Sequence, residues 1–343
     1  MFLLTRHEGG PILTPDNGFS WEKEGVFNPG VVLTDKGPIM LYRAVGETEA
    51  YISRLGLAKS KDGIFFERSS DKPVFEPKEP FNRWGVEDPR ITKIDGDYYV
   101  TYVAVPERIM LNGQAFPRSV PLETATALLK TKDFENFEEL GIISPKASDN
   151  KDTVLFPKKI NGKYYMLHRP NRWHRAWCEH LKQDGKVVEW PCNLEVLSEN
   201  PGIWISSSEN LKDWSSHKEV LHSSHLSDSK LGAGLPPIET KDGWLLIYHH
   251  VVFTDNRDSF VYSIRAALLD LNEPSRVIGK LPYNILVPEM PYEKEKVSSI
   301  VFPTGGFVLD DKIFVYYGAS DRYVCLATGS LTELLLELKK NTA

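Results

Sequence analysis

Cysteine is scarce: the 343 residues hold three, Cys178, Cys192 and Cys325, odd in number and scattered. That argues against a disulfide framework and for reduced thiols in a cytosol. Long apolar runs are absent, and the opening Met1-Phe2-Leu3-Leu4-Thr5-Arg6-His7-Glu8 meets charge too early for a signal peptide. Neither a membrane span nor a secreted precursor is therefore expected. Positive charge is not in surplus either. Lys and Arg number 41 against 47 Asp and Glu, a net charge of −6, which excludes nucleic acid gripped by a broadly basic surface. An anionic ligand would need a local basic pocket. With 41% hydrophobic residues the chain is long enough for a large core, and the expectation is a soluble cytoplasmic protein whose residues 1–343 form one domain.

What is present in quantity is repetition. Five segments, residues 38–44, 97–104, 163–169, 244–250 and 312–319, are rich in aromatic and β-branched residues and read as strands. Before them stand Asp35-Lys36-Gly37, Asp95-Gly96, Asn161-Gly162, Asp242-Gly243 and Asp310-Asp311, turn signals that supply the positive φ of a tight hairpin. Each strand is thus the second of a hairpin. A short first strand is expected upstream, marked by Phe27-Asn28-Pro29-Gly30, Glu87-Asp88-Pro89-Arg90, Leu155-Phe156-Pro157-Lys158, Gly234-Leu235-Pro236-Pro237 and Phe302-Pro303-Thr304-Gly305. A third strand with a polar turn follows in each repeat, most weakly in the last. Five short antiparallel meanders fit radial blades better than a sandwich, so the expected fold is all-β, a five-bladed β-propeller.

Two segments stand apart. Leu331-Thr332-Glu333-Leu334-Leu335-Leu336-Glu337-Leu338 has helix-forming composition and is expected to end the chain as a short helix, whose apolar side offers a contact for a homo-oligomer. Residues 171–183 bring His174, Cys178 and His180 ahead of Cys192, but the spacing fits no standard zinc pattern. The stretch reads as an insertion loop, and no metal is expected.

In a propeller the innermost strands converge on a central channel, where polar side chains distant in sequence can surround one small ligand. Asn28, Arg43, Asp88, Arg90, Lys158, Arg169, Lys230, His249 and Asp321 recur near the same place in the repeat. Each alone reads as a solvated or salt-bridged residue; together they mark a site.

The same residues carry a resemblance. Gly85-Val86-Glu87-Asp88-Pro89-Arg90-Ile91, the run from Leu155 to Tyr164, Leu167-His168-Arg169-Pro170, Gly232-Ala233-Gly234, the run from Gly243 to His249 and Tyr316-Tyr317-Gly318-Ala319-Ser320-Asp321 resemble glycoside hydrolase family 130. That family comprises β-mannoside phosphorylases and related β-mannosidases on a five-bladed propeller. The resemblance implies inverting phosphorolysis of a β-mannoside to α-mannose 1-phosphate, with an oligosaccharide and inorganic phosphate as substrates and no cofactor. It makes Asp88 the general acid, delivering its proton directly or through a substrate hydroxyl. It puts Arg43, Arg169, Lys230 and His249 in a cationic cluster around phosphate, and Asn28 and Asp321 against the mannosyl ring. Trp84 and Tyr248 are expected as aromatic walls. His250, where glycine is more usual, is a departure, and so is Glu87. Phosphate is already an anionic nucleophile and needs cationic donors rather than a second carboxylate. Two other readings stay open, a mannoside hydrolase on the same fold and a non-catalytic glycan-binding propeller. The first predicts missing members of the cationic cluster and the second a missing Asp88; neither absence is found. The linkage and the acceptor sugar rest on loops at residues 107–121 and 171–201, whose composition carries no code.

Overall fold

The computed structural model describes residues 3–48, 50–108, 110–111, 114–115, 121–145, 148–173, 202–222, 228–254 and 259–342. His174, Cys178, His180 and Cys192 lie outside the described residues. Strand β1 (Thr5–Arg6) is followed by a meander of β2 (Gly25–Thr34), β3 (Gly37–Val45), β4 (Ser53–Ser60) and β5 (Phe66–Arg68). The second unit begins with β6 (Val86–Ile94) and β7 (Asp97–Arg108), passes through a small hairpin of β8 (Met110–Leu111) and β9 (Gln114–Ala115), and ends with β10 (Pro121–Thr131) and β11 (Glu138–Ile142). The third comprises β12 (Ser148–Leu155), β13 (Tyr164–Trp173), β14 (Ile203–Ser208) and β15 (Trp214–Leu221). In the fourth the inner strand is split into β16 (Asp228–Ala233) and β17 (Ile238–Thr240), followed by β18 (Gly243–Phe253), β19 (Phe260–Leu269) and β20 (Val277–Lys280). The fifth is β21 (Ser299–Leu309), β22 (Lys312–Ala319) and β23 (Tyr323–Ser330), completed by β1, which pairs with β23 so that Thr5 faces Thr328. Parallel pairing of β19 with β21 joins the fourth and fifth units into one sheet.

All five expected hairpins are present, with their second strands in β3, β7, β13, β18 and β22. Asp95-Gly96 and Asn161-Gly162 have φ of 50° and 87°, and of 50° and 81°, the left-handed pair that a two-residue hairpin turn demands. The first strands are found where expected in units one, two and five. In unit three the strand lies further upstream: Phe156, Pro157 and Lys158 follow β12 instead of belonging to it, and in unit four Gly234–Pro237 falls between β16 and β17.

The core lies between neighbouring units. Leu41, Leu55 and Leu57 of the first pack with Val86, Ile91, Val100 and Tyr102 of the second, and Val154 and Leu167 of the third with Trp244, Leu246 and Tyr248 of the fourth. Each such side chain contributes about 1.5–3 kcal/mol by leaving water, which leaves the cavity ends of the inner strands free to carry polar groups. Those strands touch in turn, β2 against β6 and β21, β6 against β12, and β12 against β16. The expected C-terminal helix, α1 (Leu331–Lys340), is capped by Ser330, whose hydroxyl accepts the Glu333 N–H. It buries Leu334, Leu335 and Leu338 in the core of units four and five. No helix among the described residues is long and apolar enough to cross a membrane.

Candidate active site

Three inner strands break register at one place. In β2 the pairing with β3 slips between Phe27 and Gly30, in β6 between Glu87 and Arg90, and in β12 between Lys151 and Val154. The first extra residue is Asn28, Asp88 or Asp152, with φ of 47°, 50° and 54°. Asn and Asp tolerate this left-handed conformation better than other residues with a Cβ. Each bulge takes one polar side chain out of the ladder, and all three line a single cavity of about 400 Å³. Glycines make room behind two of them. A Cβ on Gly318 would lie 1.9 Å from Asn28 Oδ1, and one on Gly232 would lie 2.3 Å from Asp152 Oδ2.

Units one and two contribute Asn28, Arg43, Glu87 and Asp88 to the cavity. The Arg43 guanidinium donates to Asp88 Oδ1 at 3.0 Å, to Glu87 Oε1 at 2.9 Å and to Ser53 Oγ at 2.9 Å, and lies over the Phe27 ring. Asn28 Nδ2 donates to the same Asp88 Oδ1 at 2.8 Å. Among the described residues Asp88 Oδ2 accepts no hydrogen bond, and Asp88 keeps 7% of its surface exposed. One carboxyl oxygen is thus fixed while the other is available to a ligand.

Units three and four contribute Asp149, Lys151, Asp152, Arg169, Asn171, Lys230 and Tyr262. Arg169 is held by Asp152 Oδ2 at 2.8 Å, by Asn171 Oδ1 at 3.1 Å and by the His249 Nε2 at 3.1 Å. The same Nε2 stands 3.3 Å from Asp152 Oδ2, so one ring nitrogen faces both a guanidinium and a carboxylate. Burial, aided by the charges of Arg169 and Arg90, pulls the His249 pKa down to about 4 against the opposing pull of Asp152, so the ring is neutral at neutral pH. Lys230 is half-buried, its ammonium 5.3 Å from the Tyr262 ring centre and 5.4 Å from that of Phe260. Burial, and then the charge of Arg169, lower its pKa to about 8; Asp152, Asp321 and Asp149 oppose that shift. Ile300, Phe302 and Asp321 complete the wall.

Six of the eight expected site residues therefore line one cavity: Asn28, Arg43, Asp88, Arg169, Lys230 and Asp321. His249 is fully buried behind that wall, packed on Phe302 and reaching the cavity through Arg169. Tyr248 is a correction. Successive strand residues face opposite ways, so with His249 turned inward Tyr248 points into the apolar cluster with Trp244 and Leu246, off the cavity wall. Trp84 and His250 are not on the wall either. Arg43 lies apart from the expected cationic cluster in its bonding, engaged by two carboxylates. Lys158 is exposed and paired with Glu239. Arg90 is buried as a strap between units, donating to the main-chain oxygens of Asp88 and Gly234 and to Asp152. Sequence reasoning missed Lys151, Asp152 and Tyr262. The signal for Asp152 was its place in the repeat, one residue before Thr153 where Asn28 and Asp88 precede prolines.

A family model described as β-1,4-mannooligosaccharide phosphorylase, that of glycoside hydrolase family 130, matches residues 10–340. The chain belongs to this family. Among family 130 relatives, the 1,2-β-oligomannan phosphorylase of Thermoanaerobacter sp. (strain X514) is 37% identical over 335 residues, covering 95% of this chain and 97% of the relative. The β-1,4-mannooligosaccharide phosphorylase of Ruminococcus albus is 28% identical over 354 residues, covering 99% and 92%. The solved structure of β-1,2-mannobiose phosphorylase from Listeria innocua, in complex with β-1,2-mannobiose, superposes with a TM-score of 0.76 at 28% identity over 98% of this chain and 99% of that one. This family 130 member is an enzyme, a glycoside phosphorylase.

Proposed function

We propose that the enzyme is an inverting β-mannoside phosphorylase in which Asp88 protonates the departing sugar and phosphate attacks from the flank of Arg169 and Lys230. The five units are then the blades of a five-bladed β-propeller, and residues 1–343 one catalytic domain. The observation that carries the reading is the asymmetry of the cavity: Asp88 of unit two, with one oxygen fixed from unit one and the other free, faces Arg169, Lys230 and Lys151 on units three and four.

The steps follow from that asymmetry. Asn28 and Asp321, both on the cavity wall, meet hydroxyls of the mannosyl ring. A phosphate oxygen bonds to the anomeric carbon as the bond to the leaving oxygen breaks on the opposite face, giving α-mannose 1-phosphate. The leaving oxygen takes the proton from Asp88 Oδ2, directly or through a sugar hydroxyl. No second carboxylate has to activate water. Glu87 and Asp152 are tied to guanidinium groups, and Asp149 accepts from Thr124 and Asn171. Arg43 reaches the anion only by leaving Glu87 or Asp88, so its first duty is to hold the acid.

β-1,2-Linked mannosides are the preferred substrate class. Supporting this, relatives with that linkage in their names stand at 37%, 36% and 35% sequence identity and the β-1,4 relative at 28%. The deciding assay supplies α-mannose 1-phosphate with mannose, β-1,2-mannobiose, glucose or N-acetylglucosamine and measures phosphate release. Release is expected with mannose and β-1,2-mannobiose. Mannose set free from β-1,2-mannobiose equally fast with and without phosphate would instead establish a hydrolase.

A further inference from the structure

Asp152 has no part in the chemistry described so far, yet three units converge on it. The residue is 1% exposed. Oδ1 lies 3.1 Å from Arg90 NH2 of unit two, and Oδ2 lies 2.8 Å from Arg169 NH1 of unit three and 3.3 Å from His249 Nε2 of unit four. Burial alone would push this carboxyl up into the neutral form, but the charges of Arg169 and Arg90 outweigh it and hold the group well below the usual carboxylate range. Oδ1 accepts from Arg90, and Oδ2 is ion-paired to Arg169 without a hydrogen bond; held charged in this way, Asp152 is poorly suited to give or take a proton.

Its two arginines lead in different directions. Arg169 lines the cavity on the side assigned to phosphate. Arg90 donates through NH1 to the main-chain oxygen of Asp88 at 2.9 Å, at the left-handed bulge that aims the acid. We infer that Asp152 is a positioning residue that sets the acid and the phosphate-binding arginine relative to each other, through the buried path Asp88 main chain, Arg90, Asp152, Arg169. The inference rests on the reading of Asp88 and Arg169 given above. Gly232 belongs to the device, since any side chain there would collide with Asp152 Oδ2.

Asp152→Asn keeps the size and removes the charge, so both ends of the path should loosen. The test compares a natural β-1,2-mannobiose with an activated aryl β-mannoside that needs no proton, each over a range of phosphate. The wild-type enzyme comes first: if its turnover ignores phosphate on both, the phosphorylase reading fails irrespective of Asp152. With phosphate dependence established, a folded Asp152→Asn protein should raise the phosphate KM about tenfold or more on the aryl substrate and lose about a further tenfold in kcat on the natural one, the scale of a misplacement of about 1 Å. An unchanged phosphate KM with both substrates slowed alike overturns the inference while leaving the function standing. Where Asp152→Asn does not fold, Arg90→Gln cuts the path on the acid side only. It should slow the natural substrate more than the aryl one at unchanged phosphate KM, and equal slowing overturns the inference. If neither variant folds, the path is a folding element and the inference falls.

Discussion

Arg43 and Arg169 sit at the same point of two repeats. Arg43 faces Phe27 across the β2–β3 pair and Arg169 faces Lys151 across β12–β13, each beside the register slip that presents Asn28 or Asp152. Their partners nevertheless differ. Arg43 is clamped by Glu87 and Asp88 of the next unit, whereas Arg169 shares Asp152 with Arg90 and His249. On the proposed function, one guanidinium is consumed in holding the acid, and the other is held so that it can meet the anion. Position in the repeat brings a cation to the cavity, and on the proposed function its carboxylate partners decide its job.

The largest effect should come from removing what Arg43 holds. Asp88→Asn keeps the shape but cannot supply a proton, so turnover of a natural β-mannoside should fall about 10²–10⁴-fold. An activated aryl β-mannoside should lose far less, with melting temperature unchanged. If both substrates fall together in a stable variant, Asp88 binds sugar and the acid lies elsewhere. On the other flank Lys230→Ala should raise the phosphate KM about tenfold or more, through loss of a charge-assisted contact of roughly 1.5–3 kcal/mol. Steady-state kinetics with phosphate varied checks this, and an unaltered KM removes Lys230 from the anion site.

The two arginines can then be set against each other directly. Lysine keeps the charge but not the fork. Arg43→Lys should slow the natural substrate several-fold at constant phosphate KM, and Arg169→Lys should raise that KM several-fold on both substrates. An exchange of these outcomes would reverse the assignment of flanks.

The smallest expected effect is a pH limb. Lys230, lowered to about 8, is charged below that value and neutral above it, so phosphate KM should rise as pH passes 8. A bound anion favours the ammonium form, so the limb seen in kcat should lie at higher pH than the limb in kcat/KM. Stability runs the other way. Between about 8 and the ordinary 10.5 the unfolded chain binds more protons at this residue than the folded one, so the contribution of Lys230 to stability rises with pH across that window. A pH-independent phosphate KM from 7 to 10 would exclude Lys230 as the titrating contact.

Hairpins were legible in the sequence because turn chemistry is local: Asp95-Gly96 and Asn161-Gly162 specify their own backbone. The site was legible where the same local marker served. Proline follows the bulge residue at Asn28-Pro29 and Asp88-Pro89, and a strand accepts it there because a bulge frees the proline from donating to the ladder. In the third unit Thr153 follows Asp152, and the next proline, Pro157, drew the alignment onto Phe156 and Lys158. Asp152 was thereby hidden, together with Lys151 beside it. Tyr248 failed for another reason: alternation from Trp244 and Leu246 already placed it on the apolar face, and the resemblance to a sugar-binding family outweighed that pattern. Glu87 and Asp88, which set Arg43 apart from Arg169, come from the neighbouring unit, and no local pattern records that pairing.

The pairing of β1 with β23 has a consequence for how the site comes into being. The fifth unit is assembled from two stretches of chain more than three hundred residues apart, and the half-buried Arg6 of β1 pairs with the buried Glu293. Asn28 and Asp321 stand on either side of that seam, Asn28 in the unit that follows β1 and Asp321 in the turn that leads into β23. Contacts of such sequence separation form late in folding. During synthesis Asn28, the first of the two to leave the ribosome, has therefore to wait for Asp321, and on the proposed function the sugar pocket is completed in the same event that joins β1 to β23.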